Sequence, residues 1–164
     1  MHKKSANGQK GFTIIEVLIV LAIGGLILLI VFLAVPALQR NSRNTQRKND
    51  VSSLLSAMTE SANNNGGSLP KNVAPGPTDT TVLLRQGTTG GTEVKLGYYD
   101  ATDLTRVSIS DSNRNAVTDI DSVKMVLKSR CGTDGAAAPG PSRSFVALYA
   151  VESGRNATSV CQEG

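Results

Sequence analysis

An apolar run over residues 12–38 constrains this chain more than any other feature of its sequence. Its only polar side chains are Thr13 and Glu16, and the run is long enough to cross a bilayer as one helix. A carboxylate at the centre of a membrane helix costs at least about 2.5 to 3.5 kcal/mol on insertion scales, so chains that keep one usually give it a partner. The run therefore predicts a membrane-spanning helix in which Glu16 has a specific electrostatic role.

The sequence offers Glu16 a partner at the start of the same run. If the peptide bond between Gly11 and Phe12 is cut, the new α-amine of Phe12 is a cation at the same end of the helix as Glu16. The two groups would lie about 6 Å apart along the axis, at about 1.5 Å rise per residue. The amine can then compensate the carboxylate within one subunit or across to a neighbouring subunit.

A short basic leader that ends in glycine is followed from Phe12 by Phe-Thr-Ile-Ile-Glu-Val-Leu-Ile-Val-Leu. This sequence resembles the class III leader and first half-helix of type IV pilins and related pseudopilins. The resemblance is close over residues 1 to about 38 and elsewhere rests on general layout and a C-terminal cysteine pair. It implies cleavage after Gly11 by a prepilin peptidase on the cytoplasmic side and N-methylation of Phe12. It also implies polymerisation in which Glu16 meets the Phe12 amine of an adjacent subunit.

Two other interpretations of the apolar run stay open. An ordinary secretory signal has an apolar region of about 7 to 15 residues, which is shorter than this run, and it leaves Glu16 unexplained. A signal anchor that tethers an unrelated outer domain explains the length of the run but gives Glu16 no role. Flanking charge does not settle the orientation, because cations stand on both sides of the run: Lys3, Lys4, Lys10, Arg40, Arg43, Arg47 and Lys48.

The resemblance implies, and composition supports, four segments. Residues 1–11 are the leader peptide, and residues 12–38 form the transmembrane and assembly half-helix. Residues 39–65 form an amphipathic helical extension, and residues 66–164 form a C-terminal globular β-sheet domain. The extension carries apolar side chains at helical spacing, which predicts a face that docks on the C-terminal domain: Val51, Leu54, Leu55, Met58 and Ala62.

The C-terminal domain shows three segments in which apolar and polar residues alternate as in half-buried strands. These are residues 93–99, 122–128 and 144–152, the last of which is uniformly apolar enough to predict a central strand. Residues 68–81 contain three prolines and predict a long surface loop, while residues 87–91 predict a hairpin loop. The expected fold class is α+β, with a long N-terminal helix whose first half spans the membrane and a small antiparallel sheet packed on its C-terminal half.

Cys131 and Cys161 are the only cysteines, and both lie in the part expected outside the membrane. An even number of cysteines in an exported domain predicts one disulfide. About 100 residues make a domain whose burial is marginal without such help. Closing a loop of about 30 residues stabilises by roughly 3 to 4 kcal/mol in the chain-entropy model. Two free buried thiols are the alternative.

Composition argues against catalysis and against nucleic acid as the main partner. Of the formal net charge of +4, Lys3, Lys4 and Lys10 carry three, so loss of the leader leaves +1. The only histidine, His2, leaves with the leader, and the mature chain then has no imidazole for proton transfer or metal binding. We therefore expect a protein that is not an enzyme and has no cofactor.

One set of oxygen-bearing side chains resembles a calcium loop. These residues stand at alternating positions, but Ala116 replaces the glycine of the sharp turn and Ser122 stands where a bidentate glutamate should come. Asn and Asp also favour turns because they bond to their own backbone. We favour a plain turn and keep calcium as the alternative, since some pseudopilins hold calcium in C-terminal loops. The candidate ligands are Asp111, Asn113, Asn115, Asp119 and Asp121.

Four cations follow the apolar run at helical spacing: Arg40, Arg43, Arg47 and Lys48. They fit subunit packing or anionic membrane lipid better than DNA, because no aromatic side chains interleave with them for base stacking. The resemblance implies as partners other copies in a helical filament, other pilins, prepilin peptidase and an inner-membrane pilus assembly platform. It implies a single-pass protein of the cytoplasmic membrane that moves to a cell-surface pilus on assembly. A pseudopilin of type II secretion or DNA uptake is the alternative within the family, and a membrane-anchored domain that never polymerises is the alternative outside it.

Overall fold

A computed structural model describes residues 11–164, so the leader residues before Gly11, including His2, lie outside the described part. Helix α1 (Ile14–Asn64) is followed by strands of three to nine residues. In chain order they are β1 (Asn72–Pro75), β2 (Thr81–Arg85), β3 (Thr92–Lys95), β4 (Val107–Ser110), β5 (Val123–Leu127), β6 (Ser129–Cys131), β7 (Ala137–Pro139), β8 (Phe145–Ser153) and β9 (Asn156–Glu163). The order confirms the predicted α+β class with a long N-terminal helix.

The chain forms two compact units, and α1 contributes to both. The first unit ends at Gln39 and the second runs from Arg40 to Gly164. In the first unit α1 is long and apolar enough to cross a membrane, and none of its apolar span is buried within the structure. Its large side chains therefore have no protein core of their own and need lipid or another apolar surface.

In the second unit α1 buries the predicted apolar face. Val51, Leu54 and Met58 are fully buried, and Leu55 is nearly so. Ala62 is only half-buried, and Ala57 and Ser61 complete the buried stripe instead. The helix ends as expected, since Gly66 and Gly67 have φ values of 64° and 86°, which glycine adopts without strain.

Three sheets make up the rest of the second unit. Their strand orders are β1-β2-β3, β4-β5-β8-β9 and β6-β7. All pairs are antiparallel except β4 and β5, which run parallel. Strand β8 lies inside the four-stranded sheet, and its residues from Phe145 to Ala150 are buried, which confirms the predicted central strand.

The main core lies between α1 and the two larger sheets. Leu54 and Met58 of α1 pack in one cluster with Leu84 of β2, Met125 of β5 and Tyr149 of β8. Burying each Leu or Met side chain is worth about 1.5 to 3 kcal/mol, so these contacts hold the helix to the sheets. A smaller apolar cluster is formed by Val126, Val146, Leu148 and Val117.

Cys131 and Cys161 form a disulfide, with their Cα atoms 5.6 Å apart. The bond joins β6 to β9 and packs against the smaller apolar cluster. It therefore confirms the predicted pairing and ties the β6-β7 hairpin to the last strand.

Two predictions about the strands were wrong. Residues 68–81 are not one long loop, because they contain β1, which pairs along its length with β2. Pro75 fits there because β1 is an edge strand, where a missing backbone donor is tolerated. The strand predicted over residues 93–99 ends at Lys95. The N–H of Leu96 still donates to the carbonyl of Thr80, but the N–H groups of Gly97, Tyr98 and Tyr99 bind the carboxylate of Asp50 instead of a neighbouring strand.

Candidate functional site

The start of α1 is capped by two side chains that hydrogen-bond to each other. The backbone N–H and the hydroxyl of Thr13 donate to Oε2 of Glu16 at 2.8 and 2.7 Å. In return the N–H of Glu16 donates to the Thr13 hydroxyl at 3.3 Å. This reciprocal capping box satisfies N–H groups that a helix start would otherwise leave without partners. Sequence analysis missed it, although the spacing Thr-x-x-Glu is its known signature.

Gly11 and Phe12 precede this cap in a segment without regular structure. Phe12 is 90% exposed, and a Cβ added at Gly11 would meet no atom within 4 Å. The predicted cleavage bond is therefore accessible. The structure describes the uncleaved chain, so the pairing of Glu16 with a free Phe12 amine stays a prediction.

Within the second unit, a second polar site joins α1 to β8 through Glu152. The Glu152 carboxylate accepts from Nε and Nη2 of Arg43 at 2.8 and 2.6 Å, and from Nη2 of Arg47 at 2.9 Å. The side chain of Asn44 bonds the backbone of Glu152 twice, donating to its carbonyl and accepting from its N–H, both at 2.9 Å. We call Arg43, Asn44, Arg47, Asp50 and Glu152 the polar clasp.

Asp50 extends the polar clasp to the connection between β3 and β4. Its two carboxylate oxygens accept from the N–H groups of Gly97, Tyr98 and Tyr99 at 2.7, 2.7 and 3.1 Å. Arg47 donates to the hydroxyl of Tyr98, and its guanidinium carbon lies 4.1 Å from the centre of the Tyr98 ring. One face of the helix thus binds this connection through hydrogen bonds to a carboxylate and through a cation–π contact.

The electrostatics of the polar clasp favour the ionised carboxylate. Hydrogen bonding from Arg43, reinforced by Arg47, lowers the pKa of Glu152 to about 2. The side chain of Arg47 is 0% exposed, and that of Glu152 is 14% exposed. Because a buried ion costs several kcal/mol unless it is paired, the two groups depend on each other.

The polar clasp changes the interpretation of the four cations after the apolar run. Arg47 is fully buried and so cannot contact lipid or DNA, whereas Arg43 pairs with Glu152 but keeps 43% of its side chain exposed. Arg40 and Lys48 form no ion pair within residues 11–164. Arg47 therefore does not belong to an exposed basic cluster, which the sequence could not show because its partner Glu152 is distant. For the other three cations, subunit packing or lipid contact stays a prediction.

Four of the five calcium candidates, Asp111, Asn113, Asp119 and Asp121, contact other groups of the protein through their side-chain oxygens. Asn113 Oδ1 accepts from the Lys124 ammonium at 3.1 Å, and Asp111 lies 3.7 Å from the Lys128 ammonium. Asp119 and Asp121 form a local turn, in which the N–H of Asp121 donates to Asp119 Oδ1 at 3.0 Å. Asp121 also accepts from the Tyr98 hydroxyl and pairs with Arg106. The amide of Asn115 donates to Asn113 Oδ1 at 3.3 Å, and all these contacts favour turns over a calcium loop.

Comparison with known proteins identifies the start of the chain. Residues 6–32 match the family model of the prokaryotic N-terminal methylation motif, which is characteristic of type IV pilins and pseudopilins. The matched segment includes Gly11, Phe12, Thr13 and Glu16 and confirms the resemblance there. No curated protein and no solved structure matches the chain.

Proposed function

We propose that this chain is a prepilin that is cleaved after Gly11, N-methylated at Phe12 and polymerised into a type IV pilus-like filament. The observation that carries the proposal is the match of residues 6–32 to the methylation motif. In this proposal the protein is a structural subunit and not an enzyme. It resides in the cytoplasmic membrane before assembly and on the cell surface after it.

The exposed half-helix supports polymerisation. Ile14, Leu18, Leu21 and Phe32 are among its exposed large side chains. Lipid covers such a surface before assembly, and half-helices of other copies cover it in a filament core. The half-helix thus serves as both anchor and assembly element.

Glu16 supplies the polar contact that gives this packing a register. Its Oε2 atom is occupied by Thr13, while Oε1 accepts no hydrogen bond from residues 11–164. A Phe12 amine of a neighbouring copy can therefore bind the carboxylate without breaking the helix cap. The pairing compensates both charges inside an apolar bundle.

Gly11 supports the proposed cleavage. Packing does not require glycine here, since a side chain would find open space. A requirement for glycine would then arise from a partner, and a peptidase that closes around the chain is such a partner. Gly11→Leu should leave the leader attached, whereas Gly25→Ala, at another glycine with open space around it, should be cleaved normally. Detection of Phe12 as the N-terminus of Gly11→Leu would contradict the assigned peptidase.

A pseudopilin of a type II secretion or DNA-uptake machine is the second candidate function, because the same motif serves both classes. Mass spectrometry of a sheared surface fraction, read at the N-terminus, separates the candidates. N-methylated Phe12 in long surface filaments supports a pilin, and the same N-terminus confined to the membrane fraction supports a pseudopilin. An uncleaved chain in the membrane would contradict both and leave a membrane anchor. The expected partners are other pilins, prepilin peptidase and the assembly platform.

A further inference from the structure

The polar clasp connects one helix face to three separate stretches of the second unit. Glu152 lies near the end of β8, just before the turn to β9. Ile120 lies in the connection between β4 and β5, and its carbonyl accepts from Arg47 Nε at 3.1 Å. Tyr98 lies in the connection between β3 and β4. These stretches are far apart in sequence, and α1 is the element that each of them contacts through the clasp.

Arg47 is the centre of this arrangement. Its Nε binds Ile120, its Nη1 donates to Asn44 Oδ1 at 2.8 Å, and its Nη2 binds both Glu152 and Tyr98. Within residues 11–164, Glu152 is the one carboxylate that forms an ion pair with it. If that carboxylate is neutralised, a fully buried guanidinium loses its counter-charge. It then moves toward water, because the cost of an unpaired buried cation exceeds that of its remaining neutral hydrogen bonds.

We propose that the polar clasp makes the three stretches one cooperative opening unit, which separates from α1 as a whole when Glu152 releases Arg47. Movement of Arg47 removes contacts from Ile120 and Tyr98 in the same step as from Glu152. The apolar docking of α1 through Leu54 and Met58 stays in place, because those side chains are fully buried about two and about three turns beyond Arg47 along the helix. The opening is thus local: it withdraws Tyr99 from the edge of the main core and leaves the packing of Leu54 and Met58 against the sheets in place. This inference concerns the second unit alone and stands whether or not the chain polymerises.

Native-state hydrogen exchange on the full chain in detergent micelles tests the proposal. Glu152→Gln keeps the shape of the side chain and removes its charge. We expect the amides of Gly97, Tyr98 and Tyr99 to exchange at least about tenfold faster in this variant. Those amides bind Asp50 and not Glu152, so their acceleration reports coupling through Arg47. Amides of the core strands β5 and β8 up to residue 150 should keep their wild-type rates.

Asp103→Asn is the matched control. It removes one carboxylate from an exposed ion pair with Arg106 at 3.1 Å, outside the polar clasp. It should leave exchange at Gly97, Tyr98 and Tyr99 unchanged. In the double variant Asp50→Asn with Glu152→Gln, those amides should exchange no faster than in the faster single variant, because one opening event already exposes them.

Arg43→Gln provides a milder test, because it leaves Arg47 paired with Glu152. It should accelerate exchange at Glu152 and at Gly97, Tyr98 and Tyr99 by similar small factors. Faster exchange at the amide of residue 152 alone, in either this variant or Glu152→Gln, would show that the three stretches open independently. Equal acceleration of the core strands would show that the polar clasp governs global stability. Either result would overturn the proposal.

Discussion

At the scale of single residues, Glu16 has two roles that different observations support. Its contacts with Thr13 cap α1, and this role is visible in the structure. Its proposed contact with a neighbouring Phe12 amine needs the negative charge. The two roles can be separated, because glutamine also completes a capping box at this position.

Glu16→Gln tests the second role. The variant keeps the helix cap and lowers the cost of membrane insertion, so it should be cleaved after Gly11 and found in the membrane at wild-type levels. Filaments should be few or absent, because the Phe12 amine then lacks a counter-charge in an apolar bundle. Filament yield in the sheared fraction and the N-terminal mass are the measurements.

Glu60→Gln is the control for this experiment, since Glu60 is an exposed acid of α1 in the second unit. It should assemble normally. Normal filament yield from correctly processed Glu16→Gln would show that the Glu16 charge does not direct assembly.

Leu54 shows how much a single core side chain contributes. It is fully buried where α1 meets the sheets. Leu54→Ala should lower the free energy of unfolding by about 2 to 5 kcal/mol through lost burial and a cavity. The denaturant midpoint of the full chain in detergent measures the change. Leu18→Ala in the uncovered half-helix should shift this midpoint little, and equal shifts would contradict the assigned core.

At the scale of elements, periodicity predicted the docking face of α1 and the central strand β8 and missed several other strands. The apolar stripe of α1 from Val51 to Met58 and the strand β8 each extend over enough residues to reveal their period. Strands β4, β6 and β7 have three or four residues each, too few for alternation to be recognised. The early end of β3 at Lys95 depends on Asp50, a tertiary partner that no local pattern contains.

The two candidate sites also differ in how far the sequence alone predicts them. Gly11, Phe12 and Glu16 form a local motif, so the sequence alone predicts them. The polar clasp depends on Arg47 and Glu152, which are separated by 105 residues. From the sequence alone, Arg47 cannot be distinguished from the other cations that follow the apolar run. Its burial in the fold shows that it is an internal ion.

The disulfide gives an element-scale prediction. Cys161→Ser removes the bond that ties β9 to β6, and the free energy of unfolding should fall by about 2 to 5 kcal/mol. The denaturant midpoint under non-reducing conditions measures this. Reduction of the wild-type protein should reproduce the loss and should not affect Cys161→Ser further. Free alkylation of both thiols in native, unreduced protein would contradict the bond.

At the scale of the whole molecule, the two units place different demands on the sequence. The first unit needs length and apolarity with one acid, which a linear sequence displays directly. The second unit needs a core, a disulfide and a buried ion pair between distant segments. The stability of the second unit is therefore expected to depend on pH through its buried ion pair.

Stability of the second unit should fall in acid because of Glu152. The pKa of this carboxyl is about 2 in the folded chain, below its ordinary value of 4.5. A lowered folded pKa adds stability that is fully present above about pH 5 and is lost as the pH falls through 2. The loss should be on the order of 3 kcal/mol at most. Denaturant midpoints of the full chain in detergent at pH 7, 5, 3 and 2 measure it. Glu152→Gln should flatten this dependence and Glu60→Gln should preserve it, whereas an unchanged acid slope in Glu152→Gln would show that other carboxylates control acid unfolding.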